Sequence, residues 1–179
     1  MSILVLLVSL GCEEKLSDVI ADSSSDWGGD VVVIDNTDDI SGDLSDGTAL
    51  ESLEWASLSS VACWPGNEDQ NFTGSHVFFA TDQPAHSLLT ATVVPDASDI
   101  DVNVYILQQG TADYQKPPDV TSVVTCEAGY PQSTDSNPGE EDSASVTAIN
   151  NAYSALIGVA GPQSVLTGGF TLSLDLEDY

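Results

Sequence analysis

The chain has 179 residues, and its 29 Asp and Glu residues against two basic residues give a formal charge of −27 at pH 7. This charge excludes nucleic acid as a partner, because phosphate-binding proteins need Lys and Arg to displace counterions. It also excludes a fold held together by ion pairs, since there are almost no cations to pair.

The chain opens with an uncharged, mostly apolar run, residues 1–11, which ends at Gly11 and is followed by Cys12. The run is too short to span a bilayer as a helix, which takes about 20 residues, and it has the length of a signal-peptide core. With the polar segment after it, this pattern resembles the end of a bacterial lipoprotein signal peptide. The resemblance implies that the Cys12 thiol carries lipid, that residues 1–11 are removed, and that the lipid anchors the protein to a membrane of the bacterial cell envelope, with the outer membrane expected.

The run departs from that pattern at two points. No Lys or Arg precedes it, and Ser9 stands where Leu is usual, three residues before the cysteine. A translation start upstream of Met1 would account for the missing basic residues. The alternative is an ordinary secretory signal in which Cys12 has no special role.

Residues 12–50 are rich in Asp, Ser and Gly and hold few large apolar side chains. Such a composition buries too little apolar surface to offset the entropy of ordering, so it predicts a disordered acidic linker. The β-prone run Asp30–Asp35 is an exception. It either docks as an edge strand or forms a short association-prone segment within the linker.

From residue 51 to 179 the pattern changes to short β-branched and aromatic runs separated by Pro, Gly and Asp turns. This predicts one all-β domain, a jelly-roll-like antiparallel β-sandwich of about seven to nine strands. The predicted strands are Trp55–Cys63, His76–Ala80, His86–Val94, Asp101–Gln108, Val120–Glu127, Ser143–Ile149, Tyr153–Ala160 and Gly169–Leu176. Alternation is clearest after Ile100, where Val102 and Val104 point to one face and Asn103 and Tyr105 to the other.

Four segments in order resemble the bacterial pre-peptidase C-terminal domain. They are Phe72-x4-Val77-Phe-Phe79, Asp99-Ile-Asp-Val-Asn-Val-Tyr-Ile106, Tyr153-Ser-Ala-Leu-Ile-Gly-Val-Ala-Gly161 and Gly169-Phe-Thr-Leu-Ser-Leu174. The likeness covers residues 70–176, and it implies a small β-sandwich of the accessory kind found in secreted proteins, with adhesion or substrate-binding roles. The chain departs from the family in having no attached catalytic domain and in an acidic insertion, Gln109–Asp142.

Three cysteines remain to be assigned, and a lipid on Cys12 leaves Cys63 and Cys126 as a pair. An exported protein keeps such a pair oxidised, so we expect a disulfide. Closing this loop would stabilise the fold by about 4 kcal/mol through the lost chain entropy of the unfolded state. The alternative is two separate buried thiols.

The densest oxygen-rich cluster in the predicted domain is formed by Asp96, Asp99, Asp101 and Asn103. Calcium takes six to eight hard oxygen ligands, often from one loop and a neighbouring strand, so this cluster is a candidate calcium site. The alternative is a solvated acidic loop. The two histidines, His76 and His86, are not accompanied by a third zinc ligand.

No catalytic motif stands out, and few groups suited to catalysis are present. The sequence therefore predicts a non-enzymatic envelope protein that displays its sandwich for binding, adhesion or a structural role, with an unknown protein or glycan as ligand. The alternative is a carbohydrate-binding or accessory module of a secreted hydrolase system.

The lipid assignment predicts that a palmitate analogue fed to expressing cells labels the protein and that Cys12→Ser removes the label. Cys63→Ser is the matched control and is expected to keep it. Label that survives Cys12→Ser would contradict the assignment.

Overall fold

The computed structural model describes residues 19–20, 31–35, 39–50, 52–58, 69–110, 114–120, 123–130 and 138–179. Over these residues two β-sheets pack face to face, which confirms the predicted all-β sandwich. The strands are β1 Val19–Ile20, β2 Val31–Val33, β3 Asp39–Asp43, β4 Thr48–Ala49, β5 Ser75–Gln83, β6 Ser87–Pro95, β7 Asn103–Gln109, β8 Val123–Gly129, β9 Asp142–Ala148, β10 Tyr153–Ala160 and β11 Gly169–Asp178. The helical elements are α1 Glu54–Leu58 and two 3₁₀ turns, Leu44–Asp46 and Asp69–Asn71. None of the described helices is long and apolar enough to cross a membrane.

Among the described residues, seven strands form one sheet and four form the other. The seven-stranded sheet runs in the order β1-β2-β5-β10-β7-β8, with β4 also paired to β5, and the four-stranded sheet runs β3-β11-β6-β9. The β2–β5 pair is parallel and the other pairs are antiparallel. The last seven predicted strands are therefore present as β5 to β11, each close to its predicted bounds.

The seven-stranded sheet is buried on both faces. On β7, Val104 and Ile106 belong to the main core between the sheets. Tyr105 and Leu107, whose side chains alternate with them, belong to a second apolar cluster on the opposite face. The predicted alternation is thus correct, but it does not separate a buried face from a solvent face.

The second cluster exists because a short segment covers the outer face of that sheet. Leu50, Leu53, Trp55 and Phe72, which we call the cover, are all buried against it. The predicted strand Trp55–Cys63 is wrong in its first part, since Trp55 lies in helix α1. The Ser52 hydroxyl accepts the Glu54 N–H at 3.2 Å, and the turn directs Trp55 onto the sheet.

The predicted linker, residues 12–50, also contains parts of the fold. β2 pairs with β5 and β3 pairs with β11, so the sandwich begins before residue 51. Leu44 and Leu50 are 0% and 2% exposed. A few well-spaced apolar residues thus tie this acidic segment to both sheets, a feature that its average composition conceals.

A glycine decides how the second cluster packs. Gly158 of β10 lies directly opposite Tyr105 of β7, and the tyrosine ring lies over the space where a Cβ would stand. A methyl group at Gly158 would come within 2.5 Å of the Tyr105 Cε1. The ring keeps its place only because residue 158 has no side chain.

We therefore expect Gly158→Ala to lower the free energy of unfolding by about 2 kcal/mol, the cost typical of overpacking a filled core. Gly110→Ala is the matched control, because nothing lies within 4 Å of its added Cβ. Urea unfolding at fixed ionic strength measures both. Equal stability of the two variants would contradict the packing described for Tyr105.

Candidate functional site

The four residues of the predicted calcium cluster lie in different environments. Asp96 and Asp99 are exposed in the β6–β7 loop, whereas Asp101 is 7% exposed and Asn103 is fully buried. The Asn103 amide donates to the Asn71 carbonyl at 2.8 Å. Among the described residues, no three of His, Cys, Asp and Glu form a group that could hold a metal ion. The calcium site therefore stays a prediction without support from this geometry.

Asp101 instead lies near Asp142, an association that the sequence did not reveal. The Gly139 N–H donates to the Ile100 carbonyl at 2.8 Å and docks the residues before β9 onto the β6–β7 loop. Burial raises the pKa of Asp101. Burial, with the charges of Asp101 and Glu140, raises the pKa of Asp142 to about 6. The two carboxyls are therefore most stable when the pair holds a proton.

The cysteines are only partly described. Cys126 lies in β8 and is 1% exposed in the second cluster. Cys12 and Cys63 lie outside the described residues, so the lipid and the disulfide stay predictions.

His76 lies near the start of β5, whereas His86 lies in the turn between β5 and β6, and their side chains make different contacts. His76 is fully buried; its Nε2–H donates to the Phe72 carbonyl at 2.6 Å, so its Nδ1 accepts from the Tyr105 hydroxyl at 3.0 Å. Burial lowers the pKa of His76 to about 4, which keeps the ring neutral. His86 is exposed and packs edge-on against Tyr179 with ring centroids 6.5 Å apart. Among the described residues, neither histidine belongs to a group of three His, Cys, Asp and Glu that could hold a metal ion.

A solvent-open cleft of about 470 Å³ lies where loops meet at one end of the sandwich. The described residues that line it are Ala49, Leu50, Gln70, Thr73, Gln163, Ser164 and Leu166. None of these is charged. In a protein of charge −27, such a lining favours a neutral ligand that exchanges hydrogen bonds with amides and hydroxyls.

The walls of this cleft are fixed by backbone contacts. The Gln163 N–H donates to the Gln70 carbonyl at 2.9 Å, and the Ser75 N–H donates to the Val165 carbonyl at 2.9 Å. Ser164, on the wall between them, has φ +73°. A serine in this left-handed region is uncommon, and the surrounding hydrogen bonds hold it there. No pattern in the sequence indicates this cleft, because its walls come from separate loops.

No protein-family model matches the chain, and no curated protein matches it. Solved structures with similar folds include Aeromonas hydrophila PliG, a periplasmic lysozyme inhibitor of g-type lysozyme. The two chains are 8% identical with a TM-score of 0.43, and the alignment covers 82% of this chain and 96% of PliG. The pre-peptidase C-terminal domain of a Bacillus anthracis collagenase is similar at 11% identity and a TM-score of 0.43, covering 84% and 100%. CorA, a surface-associated copper-binding protein of Methylomicrobium album BG8, is similar at 10% identity and a TM-score of 0.40, covering 84% and 100%.

His76 and Asp142 make stability depend on pH with opposite signs. An unfolded histidine binds its proton near pH 6.5 and the folded His76 only near 4, so the free energy of unfolding falls as pH falls through this window, by about 3 kcal/mol in all. The folded Asp142 carboxyl binds its proton near pH 6, above its usual 3.8, so its contribution to the free energy of unfolding rises as pH falls.

Asp142→Asn should therefore stabilise the protein at pH 7.5 and lose much of that gain at pH 4.5, because it removes a carboxylate that is unfavourable only when charged. Urea unfolding at both pH values and fixed ionic strength measures the change. Asp175→Asn, which removes an exposed carboxylate from β11, is the matched control for the loss of one charge. The same pH dependence in both variants would contradict the role given to Asp142.

Proposed function

We propose that the chain is a non-enzymatic binding module, held on the bacterial envelope by a lipid on Cys12. The sandwich presents a concave site between loops whose described lining residues are uncharged, and this cleft is the observation that carries the proposal. The ligand is a neutral group with hydrogen-bond donors and acceptors. The module works by holding that group near the envelope.

The anchor and the fold are close together along the chain. Six residues separate Cys12 from β1, which pairs with β2 at the margin of the seven-stranded sheet. A fully extended chain would span at most about 25 Å over this stretch. A lipid on Cys12 would therefore keep β1 within that distance of the bilayer surface, whereas a linker disordered over all of residues 12–50 would let the domain lie farther away.

The buried ionisable groups described above support a binding role over a catalytic one. Both ring nitrogens of His76 are occupied by Phe72 and Tyr105, and neither residue lines the cleft. Neither Asp101 nor Asp142 is among the described residues that line the cleft. These groups lie inside the fold, and the described residues that line the cleft offer amides, hydroxyls and apolar side chains.

The test is a binding titration on the full chain carrying Cys12→Ser, in which amide NMR shifts report binding. The neutral probes are glucose and N-acetylglucosamine, and the anionic probes are acetate and phosphate. We expect at least one neutral probe to shift the amides of Thr73, Gln163 and Ser164, while the anions leave them unchanged.

Gln163→Ala should weaken that response, because it removes the side-chain amide and keeps the backbone N–H that bonds to Gln70. Asn150→Ala, at the exposed β9–β10 turn, is the matched control and should leave it unchanged. If no neutral probe shifts the cleft amides, the proposed binding site is wrong.

A further inference from the structure

The outer face of the four-stranded sheet carries an ordered set of hydroxyl groups. Alternate residues of its strands point away from the main core, and eight of these are Ser or Thr. They are Ser41, Thr90, Thr92, Ser143, Ser145, Thr147, Thr171 and Ser173. We call this surface the hydroxyl face. All eight side chains are exposed or half-buried.

Strand register arranges these hydroxyls in rows. Thr92 of β6 lies between Ser173 of β11 and Ser143 of β9, while the next row places Thr90 beside Ser145. Neighbours within a row are about 4.8 Å apart, and successive rows are about 6.7 Å apart. The hydroxyls thus form a grid, which is interrupted on β6 by the outward-facing Leu88 and Val94.

Four of the eight hydroxyls are also held in pairs by hydrogen bonds. Thr92 Oγ1 and Ser143 Oγ are 2.8 Å apart, and Thr90 Oγ1 and Ser145 Oγ are 2.9 Å apart. Each pair uses one hydroxyl hydrogen internally and retains one hydrogen and several lone pairs for a ligand. Such preorganised groups lose little side-chain entropy on binding.

Charge on this surface is confined to one side. Asp39, Asp175 and Glu177 lie on β3 and β11, whereas the outward positions of β6 and β9 hold no charged residue. In a protein of charge −27, this half has no cationic group and selects against an anionic partner. It suits a neutral molecule that is itself rich in hydroxyl groups.

An exposed aromatic ring stands at one end of the hydroxyl face. Tyr179 is 64% exposed, yet its N–H donates to the His86 carbonyl at 2.9 Å and its hydroxyl donates to the Ala148 carbonyl at 3.3 Å. Its ring meets His86 edge-on. A fixed and exposed tyrosine offers an apolar ring face with a polar rim, as is common at binding surfaces.

We propose that the hydroxyl face and Tyr179 together bind an extended, neutral polysaccharide chain. The grid exchanges hydrogen bonds with the sugar hydroxyls, and the Tyr179 ring stacks on the C–H face of one sugar ring. The inference depends on the proposed function only for the envelope location, which would place this face among surface glycans. The surface is separate from the cleft.

A second copy of the chain fits this surface poorly. Four strands about 4.8 Å apart and five rows from Thr171 to Tyr179 make an area of about 500 Å². A stable protein interface buries about 800 Å² on each partner. Dimerisation would also bring together two molecules that each carry −27 charges.

Affinity electrophoresis of the Cys12→Ser chain tests the inference, in native gels that contain hydroxyethyl cellulose as the neutral glycan or alginate as the anionic one. We expect retardation in the first gel and none in the second. Tyr179→Ala should weaken binding about tenfold, whereas Tyr179→Phe keeps the ring and should retain it. The double variant Thr90→Val, Thr92→Val removes two hydroxyls while keeping β-branched side chains, and it should also weaken binding.

Gln163→Ala, in the cleft, is the control that separates the two proposals and should leave the retardation unchanged. Wild-type affinity in Tyr179→Ala and in the double valine variant would overturn the inference, as would equal retardation by alginate or the absence of retardation by hydroxyethyl cellulose. Loss of retardation in Gln163→Ala alone would assign the glycan to the cleft, which overturns this inference and supports the proposed function.

Discussion

Burial of Tyr105 is the constraint on which the arrangement of this protein depends. Its ring occupies the space left by Gly158, and its hydroxyl donates to His76. His76 in turn donates to the Phe72 carbonyl, and Trp55 and Phe72 lie with ring centroids 6.0 and 5.8 Å from that of Tyr105. Tyr105, on the central strand β7, thus holds the cover against the seven-stranded sheet. Loss of the space that its ring occupies would release the cover from that sheet.

The cover has a consequence for function. Because it buries the outer face of the seven-stranded sheet, the solvent-facing sheet surface in the described part of the chain is that of the four-stranded sheet. The loop end adds the open cleft. The two places proposed for ligands therefore follow from one asymmetry: apolar residues lie on both faces of one sheet, and hydroxyls lie on the outer face of the other.

Because the chain has two basic residues, it has few cations for ion pairs between its sheets, and neutral polar contacts take their place. Neutral amides supply them: Gln83 Nε2 donates to the Val146 carbonyl at 2.9 Å, and Gln108 Nε2 donates to Gln83 Oε1 at 2.7 Å. These glutamines belong to the seven-stranded sheet, and Val146 belongs to the four-stranded one. Uncharged partners satisfy the buried groups without the desolvation cost of an ion pair.

The sequence by itself determined the all-β class and seven strands, because period-two alternation and turn residues are local properties. It missed helix α1, since the burial of Trp55 against Tyr105 outweighs the β propensity of its segment, and it missed β3 and β4, because average composition hides a few anchoring residues such as Leu44. The cleft, the Asp101–Asp142 pair and the rows of the hydroxyl face join residues far apart in the chain. Only the tertiary structure decided them, because strand register and loop docking fix which distant side chains become neighbours.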